Sequence, residues 1–263
     1  GLTRETVDTG AIIVTGETSR KENARAVLEA LSDLAGEFVV ATAGPDLESV
    51  LAAKGAGAVG YSEETGKTVL HMDIGGGTSN LALIQDGKIR KTGCLNVGGR
   101  LVKLSDTGEI TYVSPVLQGL FAGKPGKKIT QEDASALADT LTRALEMAAG
   151  LREPTALLDQ LLTKETGEVW QPPEKPDVLS FSGGVADCME KAHPWLEFGD
   201  IGPILGQRIR KSRLCQGQYR LGTQTIRATV IGAGCHSTQL SGSTVFCQNI
   251  RFPLKNIPSH VAQ

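Results

Sequence analysis

Residues 71–93, HMDIGGGTSNLALIQDGKIRKTG, decide how this chain is read. Gly75, Gly76 and Gly77 follow Asp73 after a single isoleucine, and an apolar, alternating run leads on to Asp86-Gly87, a two-residue hairpin signal. Without a Cβ, the main chain can turn sharply and bring its N–H groups close to an anion. An acid at a strand end, a glycine turn and a strand returning antiparallel would aim amides at the terminal phosphates of a nucleotide. The acid would hold hydrated magnesium, which keeps most of its waters and takes only one or two carboxylates. Asp73, Gly75, Gly76, Gly77 and Thr78 fit that design. A plain glycine-rich turn with Asp73 in solvent competes with it, and Asn80 could bind phosphate or only its own turn.

Two other phosphate loops fail on spacing. The dinucleotide fingerprint has Gly75 and Gly77, but Asn80 stands at its third glycine and a strand pattern follows instead of a helix. Gly66-Lys67-Thr68 resembles the end of a P-loop, yet Tyr61 occupies the required first glycine.

Working outward, GAIIVTGE (10–17) and EFVVATAG (37–44) read as strands, with an amphipathic helix over 19–36 between them and a helix begun by Pro45 after them. This alternation predicts an α/β sheet. Beyond Thr68 the texture turns to hairpins, including one across VKLSDTGEITYVS (102–114). Thr130 and Asp133 form a capping pattern ahead of a long helix to residue 150, and a second helix covers TALLDQLLT. DVLSFSGGVAD (177–187) is a strand running into Gly183-Gly184, and GPILGQRIRKSRL is a helix. QTIRATVIGAGCHSTQL (224–240) reads as a strand entering a small-residue helix, with one or two strands in the tail.

Composition narrows the function. The 263 residues carry a net charge of -2 with no basic stripe, which argues against nucleic acid, and no apolar run approaches the roughly 20 residues of a membrane span. Five cysteines without a C-x-x-C pair suggest reduced thiols in the cytoplasm. The 32 glycines exceed the roughly 7% of an average chain and suit a site built from loops. The opening GLTRETVDTGAIIVTGE reads as the middle of a fold, so a fragment is expected. The four histidines lack metal spacing, and Ser180 and Ser182 lack the nucleophile-elbow pattern and a histidine partner recognisable in the sequence. Glu17 and Asp46 start helices at strand ends, where they could position water or magnesium or act as caps. Gly98-Gly99 is either a nucleotide-facing turn or a plain one, and the basic run 208–214 is a solvated helix face.

LHMDIGGGTSNLAL resembles the second phosphate motif of the actin, Hsp70 and sugar-kinase ATPases, and VLSFSGGVAD resembles their adenosine motif. GPDLESVLAAKGAGA and IRATVIGAGCHS are similar to the two connecting helices, whose Gly55, Gly57, Gly232 and Gly234 would permit close packing at a hinge. The order along the chain agrees, and the superfamily's first phosphate motif is missing. Longer matches, among them DTGAIIVTGETSRKENAR, CLNVGGRL, DIGPIL and TIRATVIGAGCHSTQLSGST, resemble the ethanolamine ammonia-lyase reactivating family.

The resemblance implies an actin-like ATPase (ribonuclease H-like) α/β fold with residues 1–67 as part of a first domain, 68–228 as the second, and 229–263 returning toward the first. It implies a chaperone-like factor that uses ATP, ADP and magnesium to release damaged cobalamin from ethanolamine ammonia-lyase, with self-association, in the cytoplasm and in some cases at a bacterial microcompartment. Asp73 would be catalytic and a metal ligand, Thr15 a second metal ligand, and Gly75, Gly76, Gly77, Thr78, Asn80, Gly183 and Gly184 would bind nucleotide. A sugar or acid kinase, distinguished by phosphoryl transfer to a small acceptor, and a non-hydrolysing scaffold, distinguished by binding without turnover, are the alternatives.

Overall fold

The computed structural model describes residues 11–14, 39–42, 44–163, 170–173, 175–223 and 225–233, the first two segments as backbone only. Thr15, Glu17, Gly234, the expected helix over 19–36 and the expected tail strands lie outside the described residues. Strand β1 (Ala11–Val14) pairs parallel with β2 (Val39–Thr42), in keeping with the two predicted strands.

Helix α1 (Pro45–Gly55) opens with Pro45 in its first turn, where a missing N–H costs nothing, and carries Asp46 and Glu48 beside its positive end. Gly57, at φ 73°, reverses the chain into α2 (Ala58–Thr65), which Gly66 closes at φ 65°. Sequence periodicity did not predict α2. It buries only Ala58 and Ser62, too few to make a stripe, and the Ser62 hydroxyl tethers it by donating to the Lys67 carbonyl at 2.8 Å. Lys67 itself donates to Gln218 at 2.7 Å.

Next come β3 (Val69–Ile74), β4 (Ser79–Gln85) and β5 (Lys88–Leu95), an antiparallel meander. Asp86 at φ 49° and Gly87 at φ 68° make the β4–β5 turn, whose left-handed pair matches the twist of the strands it joins. The predicted hairpin is β6 (Val102–Leu104) with β7 (Ile110–Val113). Helix α3 (Gln131–Ala148) has the expected capping box: the Asp133 amide donates to Thr130 Oγ1 at 3.1 Å and the Thr130 amide to Asp133 Oδ2 at 2.8 Å. Short α4 (Ala156–Leu161) follows.

Strand β8 (Val178–Ser182) lies parallel to β3, α5 (Gly184–Glu190) and α6 (Gly202–Lys211) cross over, and β9 (Tyr219–Leu221) adds parallel to β8. The sheet order is β5-β4-β3-β8-β9. Strand alternation divides its faces. Leu70, Met72, Ile74 and Phe181 join Leu141, Leu145 and Leu205 in the main core, while Val69, Ala82, Ile84 and Val178 pack with Ala53 and Ala58 on the other side. Each large side chain buried there contributes about 1.5–3 kcal/mol.

The strand expected at the start of 224–240 is not present among the described residues. Residues 225–227 turn and 228–233 are helical, with Ile226 and Val230 67% and 74% exposed. Ala228 and Gly232, four apart, form the buried stripe that packs on α1, so a helical spacing of small residues outweighed local β-propensity. Helix α5 was also unforeseen, because its seven residues hold barely two turns of periodicity.

Candidate functional site

The glycine loop stands at the end of β3. The Gly75 amide closes the turn by donating to the Thr78 carbonyl at 2.9 Å. Gly98-Gly99 packs beneath: the Gly99 amide donates to Gly75 O at 3.0 Å and the Arg100 amide to Gly76 O at 2.6 Å. A Cβ on Gly98 would lie 2.4 Å from Gly76 O, so only glycine allows this approach. Two loop carbonyls are thereby engaged on one side, while the amides of Gly76, Gly77 and Thr78 meet no acceptor among the described residues. The four donors expected from Gly75 to Thr78 become three, since the turn uses the first.

The second glycine segment touches the first. Gly183, at φ 89°, ends β8 so close to β3 that a Cβ would fall 2.3 Å from Ile74 O. Gly184 is different: nothing stands within 4 Å of its Cβ position. That open side belongs to a cavity of about 350 Å³ bordered by Gly75, Gly76, Gly99, Arg100 and Gly184. Aromatic rings of His193 and Phe198, 5.0 Å apart, form part of its wall. Cys188 also lines it, with its thiol pushed up to about 11 by burial and then by the charges of Asp200, Asp187 and Glu197. Below it, Asp200 accepts from the Gly202 amide at 2.8 Å and from Arg100 Nε at 3.3 Å. Burial raises the Asp200 carboxyl, and those two donors oppose the rise.

Asn80 points toward α1, and Asp73 toward Ser182 and Thr229. Asp73 and Asn80 pair across β3 and β4. Asn80 Nδ2 donates to Glu48 Oε2 at 2.9 Å, and buried Asn80 Oδ1 has no hydrogen-bond partner among the described residues. Asp73 Oδ1 accepts from Ser182 Oγ, and Oδ2 from Thr229 Oγ1 at 3.4 Å. Burial raises the Asp73 carboxyl most; the Ser182 bond opposes it, Glu48 adds to it and Thr229 opposes it. Asp73 is thus half-buried and hydrogen-bonded through both oxygens.

Ser180 and Ser182 do have a histidine partner. Strand pairing puts His71 opposite Ser180, with Nδ1 3.1 Å from Ser180 Oγ and Nε2 3.0 Å from Ser182 Oγ. Burial, and then the Arg220 charge, lowers the imidazole to about 3, so it is neutral at pH 7. All three side chains are fully buried, which denies a substrate access to either hydroxyl. Asp46 accepts from Thr92 Oγ1 at 2.6 Å, joining α1 to β5. In the basic run, Arg208 meets Asp139 at 3.4 Å and Arg210 meets Glu190 at 3.5 Å, as suits a solvated face. No cluster of three or more metal-ligating side chains occurs among the described residues, nor is any described helix long and apolar enough to cross a membrane.

The family described as ethanolamine utilisation protein EutA matches residues 1–262. This chain belongs to that family. The ethanolamine ammonia-lyase reactivase EutA of Salmonella typhimurium is 41% identical over 281 residues, covering 100% of this chain and 57% of that protein. The Escherichia coli K12 protein of the same description is 41% identical over 274 residues, covering 98% and 56%. This EutA-family chain thus spans a little over half the length of those relatives. Among solved structures, the Ppx/GppA family member of Aquifex aeolicus aligns at a TM-score of 0.50 and 15% identity, covering 88% of this chain and 74% of that one. The fold is the actin-like ATPase fold.

In this EutA-family chain, α1 and residues 228–233 cross with almost no space between their backbones. A Cβ on Gly55 would lie 1.8 Å from Ala228 O, and one on Gly232 would lie 1.9 Å from Leu51 O. Thr229, on the same turn as that crossing, is the residue that reaches Asp73. One helix therefore carries both the crossing and a bond to the loop strand.

Proposed function

We propose that this chain supplies the phosphate- and nucleoside-holding part of an ATP-dependent, chaperone-like reactivating factor for ethanolamine ammonia-lyase, promoting release of damaged cobalamin. The observation that carries the reading is the convergence of Gly75-Gly76 and Gly184 on one cavity. The residues fit a magnesium nucleotide: among the described residues three amides at the loop tip lack acceptors and buried Asn80 Oδ1 lacks a donor, and the Gly184 side is open. When bound, ATP with magnesium would supply the cleavable phosphoanhydride and its counter-charge.

In this reading Gly76, Gly77 and Thr78 hold the terminal phosphates by their amides, with Gly75 shaping the turn. Asp73 and Asn80 orient the cation and its water, and Gly183 with Gly184 admit the nucleoside. Thr15 would add a metal ligand from the preceding domain. ATP and ADP would favour different angles between residues 1–67 and the domain over 68–228, with 229–263 returning to the first, and the angle would alter the grip on the lyase. The factor would act in the cytoplasm, self-associated, beside the lyase and in some cases at a microcompartment.

Titration of the full-length protein with a fluorescent ATP analogue and magnesium tests this. Asp73→Ala should weaken binding about tenfold or more, roughly 1.4 kcal/mol. Equal affinity for the variant and the parent would end the nucleotide role.

A further inference from the structure

A single line of side chains crosses the β3–β8 pair, buried at Ser180, His71 and Ser182 and ending on half-buried Asp73. His71, Ser180 and Ser182 have no solvent exposure, so water cannot substitute for a missing partner. An ionised carboxylate only accepts hydrogen bonds. With Asp73 ionised, the state in which it can serve a cation, the Ser182 hydroxyl spends its one proton on Asp73 Oδ1 and offers the imidazole a lone pair. It follows that Nε2 carries the ring hydrogen, that Nδ1 accepts, and that Ser180 donates to it. The bonds run in one direction, from Ser180 to Asp73.

We propose that His71 is a positioning residue: by holding Ser182 as an obligate donor, it fixes Asp73 Oδ1 and so sets how the remaining oxygen is presented to the magnesium of a bound nucleotide. This rests on the reading of Asp73 as the residue that serves the cation. Oδ2 is the less firmly held oxygen, with Thr229 at 3.4 Å, whereas Oδ1 is tied to a serine that is itself tied to a ring lodged between two strands. An apolar pair would fill the same space without the risk of an unsatisfied polar group. The line ends on the acid of the loop strand, which gives the polar arrangement a use.

The test uses the full-length protein with His71→Leu, His71→Gln, Ser182→Ala and Asp73→Ala. The fluorescent ATP analogue is titrated with and without magnesium, and long-range ¹⁵N–¹H spectra of the histidines are recorded at pH 7. The parent should show His71 as the Nε2–H tautomer. His71→Leu and Ser182→Ala should weaken magnesium-dependent binding about tenfold and metal-free binding less than about twofold, the size expected for a lost bond to a charged group. His71→Gln, whose amide keeps a donor toward Ser182, should recover most of the loss. An Nδ1–H tautomer overturns the proposal, as does an equal loss with and without metal, or a folded His71→Leu that binds like the parent. If His71→Leu does not fold, Ser182→Ala and the tautomer decide. Unchanged binding by Asp73→Ala defeats the nucleotide reading and this proposal together, whereas a weak Asp73→Ala beside unaffected His71→Leu and Ser182→Ala defeats this proposal alone.

Discussion

Glycine does opposite work in two parts of this molecule. Where α1 crosses residues 228–233, Gly55 and Gly232 face carbonyl groups at distances no side chain could tolerate, so the missing Cβ is replaced by another backbone. Around the cavity, Gly184 faces nothing within 4 Å and Gly75 only Thr78 O at 3.5 Å, so the missing Cβ is replaced by space. The first use brings two helices together and needs no ligand. The second leaves room beside the cavity, which the proposed nucleotide would use. Glycine content alone cannot separate the two, because both patterns are short runs of small residues.

Substitutions can break this contrast. Gly232→Val should have the largest effect on stability, a loss of about 3 kcal/mol or failure to fold, because helix backbone cannot give way as a side chain can; a shifted denaturant midpoint would show it. A normal midpoint would mean that the helices do not cross as described. Gly184→Ala should separate the two uses most clearly. Gly184 is not among the residues at positive φ, so alanine should leave stability unchanged or raise it by roughly 0.4–1 kcal/mol, while a methyl group in the cavity weakens magnesium-ATP binding about tenfold. Loss of stability there without loss of binding would reverse the assignment.

Gly76→Ala should fall between these cases. Its Cβ would meet Arg100 Cδ at 3.2 Å, but the Arg100 side chain is 65% exposed and can move, so the cost should stay below about 1 kcal/mol by thermal melting. The smallest effect at neutral pH concerns Cys188 on the cavity wall. With its thiol pushed up to about 11, alkylation at pH 8 should be roughly a hundred times slower than for a free cysteine and rise about tenfold per pH unit. The raised value means the folded form retains the proton longer, so this group's stabilising contribution is present below the ordinary thiol range and is lost as pH rises through about 11. Fast alkylation at pH 8 would show the wall to be open.

Long or strongly punctuated elements were legible from residues alone. Asp86-Gly87 demanded a left-handed turn, Thr130 and Asp133 announced α3, and the alternating run through β4 could only be a strand. Short elements were not: α2 and α5 carry too few periods, and the β-branched run before Gly232 pointed to a strand where the chain is helical. The site divided the same way. Asp73 and the glycines follow from local pattern, whereas nothing local marks His71, whose partners are 109 and 111 residues away.

Sequence by itself determined the two glycine segments, the acid ahead of the first and the family to which the chain belongs, because each is written in contiguous residues whose backbone needs are local. Only the tertiary structure decided that Gly75 spends its amide on the turn, that Asp73 faces Ser182 and Thr229, and that the glycines of two distant helices meet backbone to backbone. The reason is one of range. Turn geometry is settled within a few residues, but the direction of a proton and the closeness of two helices depend on which strand and which helix fold against them.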